Sequence, residues 1–319
     1  MRGGRLVGHG PLVRVAAVDC GTNTIKLLVL DEDGADLERE MRIVRLGQDV
    51  DRTGRLSDEA LARTFAAVEE YADLVARHDV DRIRFCATSA TRDSANAAEF
   101  AAGVLARLGV EPEVLTGAEE AALAWAGATG GLPGIDPAVD GPLLVLDIGG
   151  GSTELVLGTG STPDAAHSMD IGSVRMTERR LVPAVDGQPP SPDQVAACVA
   201  DVDAALDACP VDPAAARTVV GVAGTVTTLA MGVLGLTAYD RGATHGARLA
   251  VSEVHALCDR LLGSTAAERA ALPWLHPGRA DVIAAGALVL SRVLARTRVT
   301  ELVVSESDIL DGIAWSLRA

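Results

Sequence analysis

Short apolar runs bounded by charged or glycine-rich stretches recur along the chain. In the first part they predict strands over 13–18, 25–30, 41–46, 82–87 and 111–115, rich in Val, Ile and Leu as buried strands are. Helix signals separate them. Ser57 precedes Asp58 and Glu59, a cap with a favourable acidic first turn. Leu61, Phe65, Val68, Tyr71 and Val75 then recur on one helical face, and that helix ends near His78. Further helices are predicted over 94–108 and from Thr116 onward. The stretch GATGGLPGIDPAVDGP, 127–142, lacks periodicity and reads as a loop or linker. The plan then repeats, with strands over 143–147, 153–157, 166–171 and 217–223. A helix over 192–208 opens on a Ser191–Gln194 capping box with Pro192 in its first turn. Helices over 252–262, 264–271 and 278–296 follow, then a strand over 300–304 and a short C-terminal helix containing Trp315.

One pattern occurs twice, 128 residues apart. VAAVDCGTNTIKLLVL (15–30) and LLVLDIGGGSTELVLG (143–158) each run an apolar strand into an aspartate, a glycine turn and a second apolar strand. Asp19 matches Asp147, Gly21 matches Gly149 and Leu27 matches Leu155. Where the second copy has Glu154, the first has Lys26. The repeat predicts two α/β domains of like topology facing each other, with both glycine hairpins at their interface.

Charge narrows the partners. The net charge is −16 over 319 residues, which disfavours steering of an anionic macromolecule, and the eight aromatics are too few for a base-stacking platform. Nucleic acid is therefore not expected as a partner, and an anionic substrate would need a locally basic cleft. The five cysteines form no CxxC pair and read as reduced thiols of a cytoplasmic protein rather than zinc ligands. The N-terminus lacks the apolar core of a signal peptide, and residues 1–12 read as a loose tail. No apolar run reaches the roughly 18 residues that span a membrane, so no membrane partner is expected. Of the 28 basic residues only Lys26 is a lysine, and it sits inside the first hairpin.

The motifs carry recognisable chemistry. A glycine turn between strands exposes N–H groups that bind phosphate oxygens, and glycine permits the close approach. Asp147 and Glu154, flanking the second turn, offer oxygen ligands for a hard divalent cation. GVAGTVTTLA (221–230) ends a buried strand at a helix start, whose orphan N–H groups can take phosphate, although Gly and Thr there also serve packing and capping. ATSATRDSAN (87–96) is a strand-end loop in which Arg92 either clamps phosphate or is a surface arginine beside Asp93. In LTGAEEAALAWAGA (115–128), Thr116 and Glu119 have capping-box spacing, which gives Glu119 a structural task and leaves Glu120 free. Glu120 is either solvated or a base in the cleft. PGRADVIAAGALVL (277–290) offers Arg279 near a helix start. DIGSVRMTERRLV (170–182) holds Arg175, Arg179 and Arg180, either a solvated helix face or a landing strip for a polyanion.

Taken in order, AAVDCGTNTIKLLV, ATSATRD, LTGAEEA, VLDIGGGSTELVLG, GSVRMTER, VAGTVTTLA, PGRADVIAAGALVL and VSESDILDGI resemble the exopolyphosphatase / guanosine pentaphosphate phosphatase (Ppx/GppA) family, within the actin-like ATPase superfamily. The resemblance covers about residues 13–316 and fits the short, two-domain members, without the HD-type helical domain of longer relatives. It implies an α/β fold of two actin-like (ribonuclease H-like) domains, 1–128 plus 305–319 and 129–304, with an interdomain active-site cleft. It implies Glu120 as catalytic base, Asp147 and Glu154 as metal-associated acids, and Mg2+ or another divalent cation as cofactor. Phosphate contacts fall on Gly21, Thr22, Asn23, Gly149, Gly150, Gly151, Ser152, Gly224, Thr225, Arg92 and Arg279. Lys26 is expected to face phosphate from the first hairpin, opposite the metal side. The implied activity is release of terminal orthophosphate from inorganic polyphosphate by metal-assisted attack of water. The alternatives are a pppGpp 5′-phosphohydrolase and a non-enzymatic regulator that binds a phosphorylated nucleotide. A homodimer is also implied.

Overall fold

The computed structural model describes residues 13–132, 141–160, 162–182 and 187–318. The expected tail, 1–12, and half of the expected linker, 133–140, lie outside them. The first part runs β1 (Val15–Cys20), β2 (Thr24–Leu30), β3 (Asp36–Ile43), α1 (Val50–Thr53), α2 (Asp58–Arg77) and β4 (Arg82–Ala87). It continues with α3 (Ser89–Arg92), α4 (Ala97–Leu108), β5 (Glu113–Val114) and α5 (Gly117–Gly131). The second begins with β6 (Leu143–Ile148), β7 (Thr153–Gly158), β8 (Ala165–Met169), α6 (Ser173–Met176), a π-turn (Thr177–Leu181), α7 (Pro192–Ala208) and β9 (Thr218–Val222). Then come α8 (Ala223–Leu234), α9 (Arg241–Thr244), β10 (Arg248–Ala250), α10 (Val251–Leu262), α11 (Ala266–Ala270), α12 (Ile283–Leu294), β11 (Glu301–Val304) and α13 (Ile309–Ser316).

Two sheets result, ordered β3-β2-β1-β4-β5 and β10-β11-β9-β6-β7-β8. In each, the repeated hairpin is antiparallel and its first strand pairs in parallel with the next one inward, β1 with β4 and β6 with β9. The central strands are buried on both faces, which is why they read as continuous apolar runs. Ala16 and Val18 of β1 face α2 and α4, whereas Val15 and Ala17 face α13. Leu144 and Leu146 of β6 pack on the core built with α7, α8, α10 and α12, and Val145 faces Ala121, Trp125 and Ala128 of α5.

The helix after the first sheet thus covers the second sheet, and the last helix of the chain returns to cover the first. The two cross closely. A Cβ at Gly127 would run into the Asp308 carbonyl, and one at Gly312 into the Leu123 carbonyl. This corrects the reading of 127–142 as loop from its start: residues 127–131 continue α5, and their glycines serve helix contact rather than a turn. The boundary expected at 128 falls inside that helix. β3 covers Asp36–Ile43 rather than 41–46, because it is an exposed edge strand with no apolar run to mark it. The helix expected over 278–296 is a short turn, Pro277–Arg279, followed by α12.

Candidate active site

The two hairpin turns meet at the C-terminal ends of the parallel strands, where α/β sheets bind ligands. Gly150 lies against Thr22 and Asn23, and Gly151 against Ser89 and Thr22, so tightly that a Cβ at either would collide. Thr22 Oγ1 and Ser89 Oγ are hydrogen-bonded at 2.9 Å. Between the turns lies a cavity of about 70 Å³ that opens to solvent. Gly21, Thr22, Asn23, Lys26, Glu120, Asp147, Gly149, Gly150, Ser152, Gly224, Thr225 and Arg279 all line it. Three expected residues do not. Glu154 is 1% exposed beside Asp147, Gly151 is packed under Ser89, and Arg92 stands on Glu120.

Each hairpin sets its charged pair by register. Asp19 is directly opposite Lys26, and Asp147 directly opposite Glu154. In the first, Lys26 Nζ lies 3.1 Å from Asp19 Oδ2 and 2.8 Å from Asp308 Oδ2, the cap of α13. Lys26 lines the cavity, as a phosphate contact would, but its ammonium is already shared by two carboxylates. Burial works to raise the Asp308 carboxyl, yet the Lys26 charge and hydrogen bond and the Leu310 N–H outweigh it, leaving it below the ordinary range. Asp19 ends above its ordinary value, because burial outweighs Lys26 there.

The second hairpin has no such cation. Burial, then the charges of Glu120 and Asp147, push the Glu154 carboxyl well up, against a 2.6 Å hydrogen bond from Ser168 Oγ. Burial also raises Asp147, with Asp308 adding to the shift and Lys26 opposing it. Glu120, 8% exposed, projects from the first turn of α5. The Thr116–Glu119 capping box is present, so the acid left free by the box is the one that reaches the cavity. Burial pushes Glu120 up to about 7, against Arg92, whose Nη1 donates to Glu120 Oε2 at 3.2 Å and to the Leu115 carbonyl at 2.8 Å.

Three buried carboxylates that repel one another are a poor apoprotein and a good cation site. Among the described residues no three acids stand in metal-ligating geometry. A hard ion here would take one or two carboxylates and complete its shell with water and phosphate oxygens, the habit of Mg2+. The donor set fits.

Of the two cations lining the cavity, Arg279 keeps its charge available. Its Nη1 donates to the Gly224 carbonyl and, at 3.0 Å, to Thr228 Oγ1, with no carboxylate in ion-pair distance among the described residues. Beside it, Ala223 holds φ at 66°, a left-handed conformation uncommon outside glycine, and this sharp turn starts α8 against the cavity.

Sequence reasoning passed over Asp19, Thr88, Ser89, Ser173 and Asp308. Asp19 had a signal, its match to Asp147; Thr88 and Ser89 lie in the quoted ATSATRD loop. Asp308 lies in the quoted VSESDILDGI motif, but its pairing could not be read there, because its partner Lys26 is 282 residues away. The 170–182 arginines are not a free landing strip: Arg175 pairs with Asp51 and Asp93, Arg179 with Asp51, and Arg180 with Asp201.

Similarity agrees with this geometry. The model of the Ppx/GppA phosphatase family matches residues 29–317. A protein of Mycobacterium tuberculosis named exopolyphosphatase 2 is 45% identical over 326 residues, covering 96% of this chain and 99% of that protein. Among solved structures, an exopolyphosphatase-like protein has a TM-score of 0.91 at 43% identity, over 96% of this chain and 99% of that one. A Ppx/GppA family member from Aquifex aeolicus has a TM-score of 0.79 at 29% identity, over 96% and 98%. With its two α/β sheets in the actin-like arrangement and a match over nearly its whole length, the chain belongs to the Ppx/GppA phosphatase family.

Proposed function

We propose that the protein is an exopolyphosphatase, a phosphoanhydride hydrolase that releases terminal orthophosphate from inorganic polyphosphate. The observation that carries this reading is the convergence of Glu120, Asp147 and both glycine turns on one cavity. The N–H groups of the turns and Arg279 bind the terminal phosphates. Glu120, oriented by Arg92, accepts a proton from water as the water oxygen attacks the terminal phosphorus. The bond from that phosphorus to the bridging oxygen breaks, and the shortened chain leaves with the electron pair. Asp147 and Glu154 would hold Mg2+, which when bound offsets negative charge on the phosphoryl oxygens. The division into domains 1–128 plus 305–319 and 129–304 belongs to this reading, with the cleft between them opening for substrate. No described helix is long and apolar enough to cross a membrane. A cytoplasmic location rests on the cysteine pattern, and a homodimer on the resemblance alone.

A second reading, hydrolysis of the 5′-phosphate of pppGpp, is favoured by one feature. A chamber of about 610 Å³ adjoins the cavity, shares Lys26, Gly224 and Arg279 with it, and carries Trp274, Tyr239 and Met231, a lining suited to a nucleoside ring. Phosphate release from short and long polyphosphate, pppGpp and ATP, with and without Mg2+, tests both readings. Release from polyphosphate supports the first and release from pppGpp alone the second. No release from any of them sinks both.

A further inference from the structure

Arg175 is bound differently from the arginines that follow it. Its Nε donates to the Gly151 carbonyl at 2.7 Å, its Nη1 to Asp51 Oδ1 at 2.7 Å, and its Nη2 to Asp93 Oδ2. Its side chain is 11% exposed. The segment that carries it is moulded onto the second glycine turn. Ser173 N–H donates to the Gly149 carbonyl at 2.9 Å, and the Val174 and Arg175 N–H groups donate to the Gly150 carbonyl at 2.8 and 3.1 Å. Gly172 lies so close to the Gly150 backbone that no Cβ fits. All three glycine carbonyls of the turn are therefore held by 173–175. Of the three acids around Arg175, the two it hydrogen-bonds come from across the cleft: Asp51 lies in α1, and Asp93 caps α3, while Asp170, on its own side, stands 3.9 Å away. Asp93 follows Arg92, the residue that holds Glu120. Other contacts cross here too, Arg179 to the same Asp51, Arg45 to Asp281 and Asp49 N–H to Glu178, but none of these touches the turn. A guanidinium spreads its five donors over three nitrogens in a rigid plane and so reaches these three separated acceptors, whereas the three donors of a lysine ammonium radiate from a single nitrogen.

We propose that Arg175 is a positioning residue that clasps the cleft, tying the Gly149–Ser152 turn to Asp51 and Asp93 so that the phosphate turn is set only when the cleft is closed. The inference rests on the reading of this cleft as a phosphate-hydrolysing site. The Arg175 contacts to Asp51 and Asp93 join the two sides of the cleft, so any opening that admits substrate breaks them and the clasp re-forms around it.

The test pairs steady-state kinetics on short polyphosphate with small-angle X-ray scattering in inorganic phosphate, on Arg175→Ala, Arg175→Lys, Asp51→Asn/Asp93→Asn and their triple combination with Arg175→Ala. We expect kcat of Arg175→Ala to fall by at least ~10-fold with a much smaller change in KM, the mark of an interaction made on the way to the transition state. Arg175→Lys should not restore it. The acid pair variant should fall in the same direction, and the triple variant should fall by less than the sum of the two losses, because Arg175 and its acids act as one unit even though Asp51→Asn also frees Arg179. Arg175→Ala and the acid pair variant should also scatter with a larger radius of gyration than the wild type. Wild-type kcat in Arg175→Lys, additive losses, or an unchanged radius in both open variants would overturn the clasp. A wild-type protein inert on every polyphosphate overturns the activity instead, and the scattering comparison still decides the clasp.

Discussion

Arg92 donates to Glu120 at 3.2 Å, so the only acid of α5 that reaches the cavity is tuned by a cation from α3. Burial alone would keep Glu120 protonated; Arg92 pulls it back to about 7. A base works only when ionised, so kcat/KM should fall on the acid side as Glu120 takes up its proton, below the metal-free value of about 7 because bound Mg2+ favours the carboxylate. Arg92→Ala removes a lowering influence and should move that acid limb to higher pH, at saturating Mg2+. A limb that stays put in Arg92→Ala would show that another group is being titrated. Glu120→Gln, with folding intact, should lose ~10²–10⁴-fold in kcat; near-normal turnover would remove Glu120 as the base.

Asp147 and Glu154 face each other in register with no cation between them. Mg2+ should therefore raise the wild-type melting temperature as well as activate it, with a stabilisation of about 2.7 kcal/mol at 100 times Kd. Asp147→Asn relieves the repulsion with Glu154 and Asp308, so without metal it should melt higher than the wild type. It should also lose the Mg2+-dependent rise and the activity. Calorimetry with and without a chelator measures both. A metal-free Asp147→Asn protein less stable than the wild type would contradict the account of the acid cluster.

Lys26 is the counter-charge of two buried carboxylates. Removing one partner of a buried pair leaves a bare charge, so Lys26→Met should cost about 3–5 kcal/mol in urea unfolding. Asp308→Asn should cost less, since Asp19 still faces the lysine. The pH dependence has a definite sign. The Asp308 carboxyl is held below its unfolded value, so its contribution is present at neutral pH and is lost as pH falls through the lowered folded value. Lys26→Met with wild-type stability and raised KM alone would return Lys26 to phosphate binding.

What the sequence made legible follows from the range of the forces involved. The hairpins were visible because strands buried on both faces must be apolar and their turns must be glycine. Glu120 was visible because the capping box is local: Thr116 and Glu119 bind each other whatever the rest of the chain does. The ion pairs were not. Asp51 and Arg175 are separated by 124 residues, and nothing near either names the other. The exposed edge strand β3 hid for the opposite reason, because a strand with little to bury carries no hydrophobic pattern. Gly127 misled because glycine is required equally by a turn and by two helices in backbone contact.

That contact offers a test at a distance from the chemistry. Gly127 stands two turns beyond Glu120 on α5, against the carbonyl of Asp308, the cap of α13 and partner of Lys26. Gly127→Ala improves intrinsic helix propensity by about 1 kcal/mol. Its methyl nevertheless forces the two helices apart, a backbone shift that costs typically 1–3 kcal/mol or more. The net outcome should be a lower melting temperature together with a lower kcat, because the same displacement moves Glu120 and the floor of the cavity. Glycine to alanine at Gly109, a left-handed helix cap with open space around it, supplies the control: it should lower stability through backbone strain and leave kcat of the folded enzyme unchanged. If Gly127→Ala raised the melting temperature, propensity would outweigh contact, and the crossing of α5 and α13 would not be what holds the cavity in shape.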